Sequence, residues 1–315
     1  MINRLLNIIK NFPEWPIVEK LLAWSKKVIF PGFGNVPLYN VVVFFIKECR
    51  RDVISTRANS IAFNFVLAIF PGIIFIFTLI PLMPFSDYYE SVIVNAIQGA
   101  LPTNAAVYIN DIIRGVTSKM RGGLLSVGFF FSVFFASNGM LNLMFGFDKS
   151  YDKTFKKRTY IKKNAIAIVL TFLLLLLFLV SVLLIIAGDY LLAYVFNSLG
   201  GVDGAIFFSA LRWLLAILLI YSGITIIYRY GPSMKRRIAY INPGAILATV
   251  LSLLTSVLFA FFINNFGRYN EFYGSIGALI IVMVWLQFNA YILLIGFELN
   301  ASIAVNRDLL EDRED

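Results

Sequence analysis

The stretch WLQFNAYILLIGFELNAS, residues 285–302, is apolar enough to lie in a bilayer, yet it carries Gln287, Asn289, Glu298 and Asn300. A carboxylate in hydrocarbon is costly unless water or a partner compensates it. An ionisable residue there marks either a substrate or proton site or the anchor of a helix bundle. Glu298 leaves both readings open. As an anchor it would reach interfacial water or accept from Asn138, Asn142 or a loop lysine. As a proton site it would need a carboxyl raised in pKa by partial burial. On a helix, Gln287, Tyr291 and Glu298 share one face, and Trp285, Asn289, Gly296 and Asn300 lie roughly opposite. A helix polar on two sides should show neither to lipid, so this one is predicted to be central.

The elements that position these groups follow from composition. Apolar residues make up 59% of the chain and charged residues only 14%, with a mean hydropathy of +0.81. That balance excludes a soluble domain and implies an all-α integral membrane protein. Blocks such as 61–83 and 164–188 exceed the roughly 20 apolar residues that a span requires. The hydropathy predicts a six-helix transmembrane bundle with spans at 58–83, 124–147, 164–188, 205–228, 242–264 and 275–302. The domain reading is an interfacial amphipathic segment over 1–57, a membrane domain over 58–302 and an acidic cytoplasmic tail over 303–315, its end DLLEDRED read as solvated. Within the membrane domain, apolar residues at helical spacing predict two outer amphipathic helices at about 86–118.

Lysine and arginine are distributed unevenly. Residues 1–57 hold nine, 148–163 seven and 229–237 four, against three in 84–123, none in 189–204 and one in 265–274. Positive-inside counting places both termini in the cytoplasm. The net charge of +9 then belongs to loops resting on anionic headgroups, and no nucleic-acid partner is expected. Residues 1–30 read as amphipathic helices broken at Pro13 and Pro16. A second amphipathic helix, LYNVVVFFIKECRRDVISTR, is predicted to bury a stripe of Val42, Phe45, Cys49 and Val53.

The direction of each span converts position into depth. Asn59, Asn64, Asn138, Asn142, Glu298 and Asn300 fall in the cytoplasmic half, and Asn289 near the middle. Asp189 and Arg212 lie at similar depth on the outer side, as an ion pair or with Arg212 snorkelling to the headgroups. Pro71 lacks the N–H that would bond Leu67, so the first span is expected to kink or break there. Such a break forms a substrate site in some transporters; otherwise it is a packing kink with Gly72 admitting a close neighbour.

Absent residue types narrow the chemistry. One cysteine, Cys49, and no histidine exclude an intrachain disulfide, His-based nucleophile pairs and His-containing metal sites. No catalytic residue, cofactor or metal is expected.

The segments YRYGPSMKRRIAYINPGAILATV and FYGSIGALIIVMVWLQFNAYILLIGFELNAS resemble the YihY / virulence factor BrkB family of bacterial inner-membrane proteins. The matching residues are Tyr228, Pro232, Pro243, Gly244, Ala245, Tyr273, Gly274, Trp285, Gly296 and Glu298. Upstream, RANSIAFNFVLAIFP supplies Ala58, Asn59, Ala62 and Pro71, and Asn142 and Arg212 also fit. Gln287 departs from the aromatic residue common in relatives, and Asn64 matches nothing in the pattern. The resemblance covers residues 40–305 and implies six spans, a transporter label and a link to serum resistance. Some members carry an old ribonuclease label. Here the missing histidine and the lack of a fixed carboxylate cluster in the loops argue against a nuclease. The expectation is a permease-like protein with a polar cavity at Asn64, Pro71, Asn138, Asn142, Asn289, Glu298 and Asn300. The alternative is a non-transporting envelope or assembly factor, lipid-related, in which the same residues hold helices together.

Overall fold

A computed structural model describes residues 16–51, 54–79, 122–199, 202–265 and 269–314 of the 315-residue chain. The outer amphipathic helices expected at 86–118 lie outside the described residues, as do residues 1–15.

Eight helices are described: α1 (Pro16–Lys27), α2 (Leu38–Arg51), α3 (Ile54–Leu79), α4 (Gly122–Gly146), α5 (Tyr160–Leu199), α6 (Val202–Tyr230), α7 (Pro243–Asn265) and α8 (Tyr269–Glu314). Their sequences explain their limits. Pro16 opens α1, where its missing N–H costs nothing, and Lys26 and Lys27 close it against the negative end of the helix dipole. Pro243 opens α7 in the same way, and the Asn242 side chain caps it by accepting from the Ala245 N–H at 2.8 Å. Between α1 and α2 the chain reverses through Gly32, Gly34 and Asn35, with φ of 89°, 57° and 62°. Gly32 also brings this turn against the Pro243 ring, which a Cβ would meet at 3.1 Å.

Among the described residues, five helical segments are long and apolar enough to cross a membrane: Ser126–Gly146, Tyr160–Ser181, Trp213–Tyr230, Pro243–Phe262 and Ile280–Glu311. The fold is the expected all-α membrane type. The first predicted span, 58–83, corresponds to α3, which is not among these five, and residues 80–83 of that prediction lie outside the described residues. Val169, Phe172, Leu176 and Phe178 of α5 are exposed, the lipid-facing surface that a bundle in hydrocarbon requires.

From α3 onward each helix packs on the next, and α8 closes the circuit on α3 while also meeting α2 and α4. Helix α8 thus packs on α2, α3, α4 and α7, although Tyr291 on one of its predicted polar faces is exposed. Phe147, Tyr228 and Phe297 fill one end of the circuit. The Phe147 and Phe297 centroids are 4.3 Å apart, and Tyr228 lies 5.8 Å from Phe147 and 6.1 Å from Phe297. The basic segments gather at this end. Loop 147–159 and loop 231–242 join through a Phe155–Met234 bridge, and Lys156 N–H donates to the Ser233 carbonyl at 2.7 Å.

Helix α3 is continuous through Pro71, so of the expected kink or break the helix does not break there; beside it, Gly72 admits Ser132, whose Oγ lies 3.3 Å from where a Cβ would sit. Two expectations need correction. Among the described side chains of α2, Val41 and Glu48 are buried, whereas Val42 is exposed. The buried stripe is thus rotated by about one residue, roughly 100° of helix, because Glu48 turns inward to the cluster described below. Finally, α8 does not stop at residue 302: Ile303, Ala304 and Val305 are buried, and the helix continues to Glu314. Hydropathy ends where charged residues begin, but a helix needs no apolar environment to continue. In the DLLEDRED end, Thr154 Oγ1 donates to Asp308 Oδ2 at 2.7 Å, and Arg236 donates to Glu311 Oε1 at 2.8 Å.

Candidate functional site

At the basic end, α2, loop 147–159 and α8 bring three charged side chains together. Lys149 Nζ lies 2.5 Å from Glu298 Oε1, with these side chains 5% and 3% exposed. The same ammonium is 3.6 Å from Glu48 Oε2. Tyr151 Oη donates to Glu48 Oε1 at 2.9 Å and packs its ring on Phe44. Two carboxylates therefore surround one lysine in a volume nearly sealed from water. Each desolvated charge costs several kcal/mol, about the scale that only close opposite charge and hydrogen bonds offset. Of the partners left open for Glu298, a loop lysine is in place.

Sequence reasoning missed Glu48, Lys149 and Tyr151. Val41, Phe44, Phe45 and Glu48 do repeat at helical spacing, so a carboxylate on the apolar stripe was visible. Lys149 reads from the sequence only as one of the basic loop charges, and nothing local marks it as buried.

Asn300 does different work on the opposite side of α8. Its Oδ1 accepts from the Gly244 N–H at 2.9 Å, and its Nδ2 donates to Asn242 Oδ1 at 2.8 Å. Asn300 and Asn242 thus share the first turn of α7, whose N–H groups have no partner within their own helix. The backbones of α7 and α8 touch here: a Cβ on Gly244 would overlap the Gly296 carbonyl, and one on Gly296 would overlap Tyr228 Oη. Tyr228 is fully buried and donates to the Leu293 carbonyl at 2.7 Å. Tyr228→Phe is expected to lower stability by about 1 kcal/mol, read as a shift in thermal unfolding in detergent. An unshifted midpoint would mean that this hydroxyl contributes nothing net.

The remaining expected residues separate. Asn64 Nδ2 donates to the Ser60 carbonyl at 2.8 Å and Asn289 Nδ2 to the Trp285 carbonyl at 2.9 Å. Both are bonded within their own helices rather than across them. Asn138 and Asn142 are half-buried on α4, one turn apart, and Asn59 is exposed. Pro71 and Trp285 are half-buried and Pro232 is buried. Asp189, Arg212, Tyr273 and Gly274 lie on described helices, but their surroundings are outside what is described, as are those of Cys49; Val53 lies outside the described residues.

Arginines finish the helix ends here. Arg57 donates to the Gly146 carbonyl at 3.1 Å, and Arg158 to the carbonyls of Tyr230 and Gly231 at 3.3 and 2.9 Å. A cation at a helix C-terminus meets both the unsatisfied carbonyls and the negative end of the dipole.

The family model described as Virulence factor BrkB matches residues 45–315. A ribonuclease-like protein of Bacillus subtilis, YfkH, is 28% identical over 260 residues, covering 82% of this chain and 92% of that one. A UPF0761 membrane protein of Pseudoalteromonas atlantica is 25% identical over 280 residues, covering 86% and 88%. Another, of Tolumonas auensis, is 32% identical over 116 residues, 36% of each chain. No solved structure matches. The matched segment contains Glu48, Lys149 and Glu298 together with the Gly244–Gly296 crossing, and the chain belongs to the Virulence factor BrkB family.

Proposed function

We propose that this chain is a permease-like protein of the bacterial cytoplasmic membrane, with both termini inside, that moves a small-molecule or lipid solute. The observation that carries this reading is the Glu48–Lys149–Glu298 cluster, buried charge in an apolar bundle. Ionisable groups within membrane proteins concentrate on substrate and proton pathways. The helix circuit and its aromatic plug support it: a solute crossing the bundle would have to pass Phe147, Tyr228 and Phe297 at the basic end. Asn138 and Asn142 add a polar strip on α4 above that plug. In this reading the chain carries no catalytic step.

The other reading is a non-transporting envelope factor, favoured by Asn300, whose amide is used up in fastening α7 to α8. Water access separates the two. With Cys49 replaced by serine, Asn138→Cys and Asn142→Cys are expected to react with a membrane-impermeant maleimide applied to inside-out vesicles. Protection of both positions, in protein that still elutes as a folded species, would remove the polar path and leave the fastening role. Proteoliposomes carrying Glu298→Gln then test coupling. Proton-linked uptake equal to that of the unsubstituted protein would take Glu298 out of the mechanism.

A further inference from the structure

Where α6 ends and loop 231–242 leads into α7, three arginines and two tyrosines are packed together. The Arg229 guanidinium lies 4.0 Å from the Tyr240 ring centroid and 5.9 Å from that of Tyr230. One of its terminal nitrogens donates to the Ile238 carbonyl at 2.5 Å, and its Nε is buried with no hydrogen-bond partner among the described residues. The Arg237 guanidinium sits 5.2 Å from the Tyr230 centroid. Neither arginine has a carboxylate within ion-pair distance among the described residues, although Arg236 between them has Glu311. Arg158 reaches the same corner through the Tyr230 and Gly231 carbonyls. Burial pulls Arg158 below the ordinary arginine range; Asp148 opposes that, and the like charge of Arg237 adds to it.

Like charges held together without acidic partners are unfavourable unless an anion joins them. The Tyr230 and Tyr240 rings beside them restrict the guanidinium groups, whose planar forks suit phosphate oxygens better than a mobile lysine does. Apolar side chains flank the cations: Tyr240 and Ile241 are 59% and 78% exposed at the mouth of α7. An aromatic and an aliphatic side chain at the start of a span belong at the headgroup level, where acyl chains begin. Tyr221 Oη donates to the Tyr240 carbonyl at 2.9 Å and holds this segment on α6.

We propose that Arg229 and Arg237, framed by Tyr230, Tyr240 and Ile241, form a binding site for a phosphate monoanion or diester, the chemistry of an anionic phospholipid headgroup. It deepens the membrane reading, resting on the basic end facing an anionic leaflet, but does not require transport. The site lies between two spans at the bundle surface, so it would hold a lipid beside the protein while leaving the helix circuit undisturbed.

The test uses full-length protein in nanodiscs of phosphatidylcholine containing a minority of phosphatidylglycerol, with retained lipid counted by native mass spectrometry. Arg229→Gln/Arg237→Gln is expected to lower phosphatidylglycerol retention about tenfold. Lys156→Gln/Lys157→Gln, which removes the same charge from the neighbouring loop, should change it less than about twofold. Arg229→Lys keeps the charge and loses the planar fork, so its expected loss is intermediate. Should the double variant not fold, Arg237→Gln alone, at an exposed position, carries the comparison. Inorganic phosphate added as competitor assigns the source. Displacement of the lipid identifies a soluble phosphate as the ligand, and retention identifies the headgroup; both uphold the site. Equal losses in the arginine and lysine doubles, or equal retention of phosphatidylcholine and phosphatidylglycerol, would overturn it in favour of diffuse charge. Uptake assays do not enter this comparison, so its failure and that of the permease reading are told apart.

Discussion

Replacing Lys149 with methionine is expected to destabilise the bundle by about 3–5 kcal/mol, enough to lose most folded protein on extraction. Methionine fills a similar volume, so the effect isolates charge. Glu48 and Glu298 would keep their places in a nearly dry site without the ammonium that now lies between them. Removing one partner of a buried pair costs more than the pair contributes, because the remaining charge stays desolvated. The measurement is the thermal unfolding midpoint in detergent, with Lys157→Met as an exposed control. Adding Glu298→Gln to Lys149→Met should restore about half of the loss, since a neutral amide relieves the larger part of the carboxylate repulsion. A Lys149→Met midpoint indistinguishable from that of Lys157→Met would show that the cluster does not hold α2, the loop and α8 together.

Gly244→Ala is expected to be the second most damaging single change. Its Cβ would overlap the Gly296 carbonyl and the Asn300 amide, so α7 must move off α8. Overpacking of this kind costs about 1–3 kcal/mol, and displacing Asn300 adds about 1–3 kcal/mol by stranding the buried amide and the Gly244 N–H. Gly223→Ala is the contrast. A Cβ there meets only the Leu174 side chain at 3.5 Å, an ordinary contact. Alanine in a helix interior should gain up to about 1 kcal/mol from propensity. Opposite shifts in the unfolding midpoint are thus expected from the same chemical change at two glycines. Matching shifts would mean that the α7–α8 crossing has room to relax.

Much of the frame was legible from local pattern. Five of the predicted spans coincide with membrane-length helices, because hydropathy over a window of about 20 residues reads directly on a bilayer's thickness. The two polar faces of α8 were also visible, since 3.6 residues per turn sends Glu298 and Asn300 in different directions. Their destinations were not. Glu298 meets Lys149 and Asn300 meets Asn242, residues supplied by distant loops. At Pro71 the local rule allows a kink or a break, and α3 continues unbroken through it, packed against α4.

The sequence by itself determined the membrane class, the helical content, the basic end and the candidacy of Glu298. These depend on composition and short-range periodicity, which the chain carries wherever it folds. Only the tertiary structure decided that Glu48 turns inward, that one loop lysine leaves the solvated set to become buried, and that two glycines mark a backbone contact. Each of those is a property of two surfaces meeting. Burial, and with it the cost or worth of a charge, has no value until the second surface is in place.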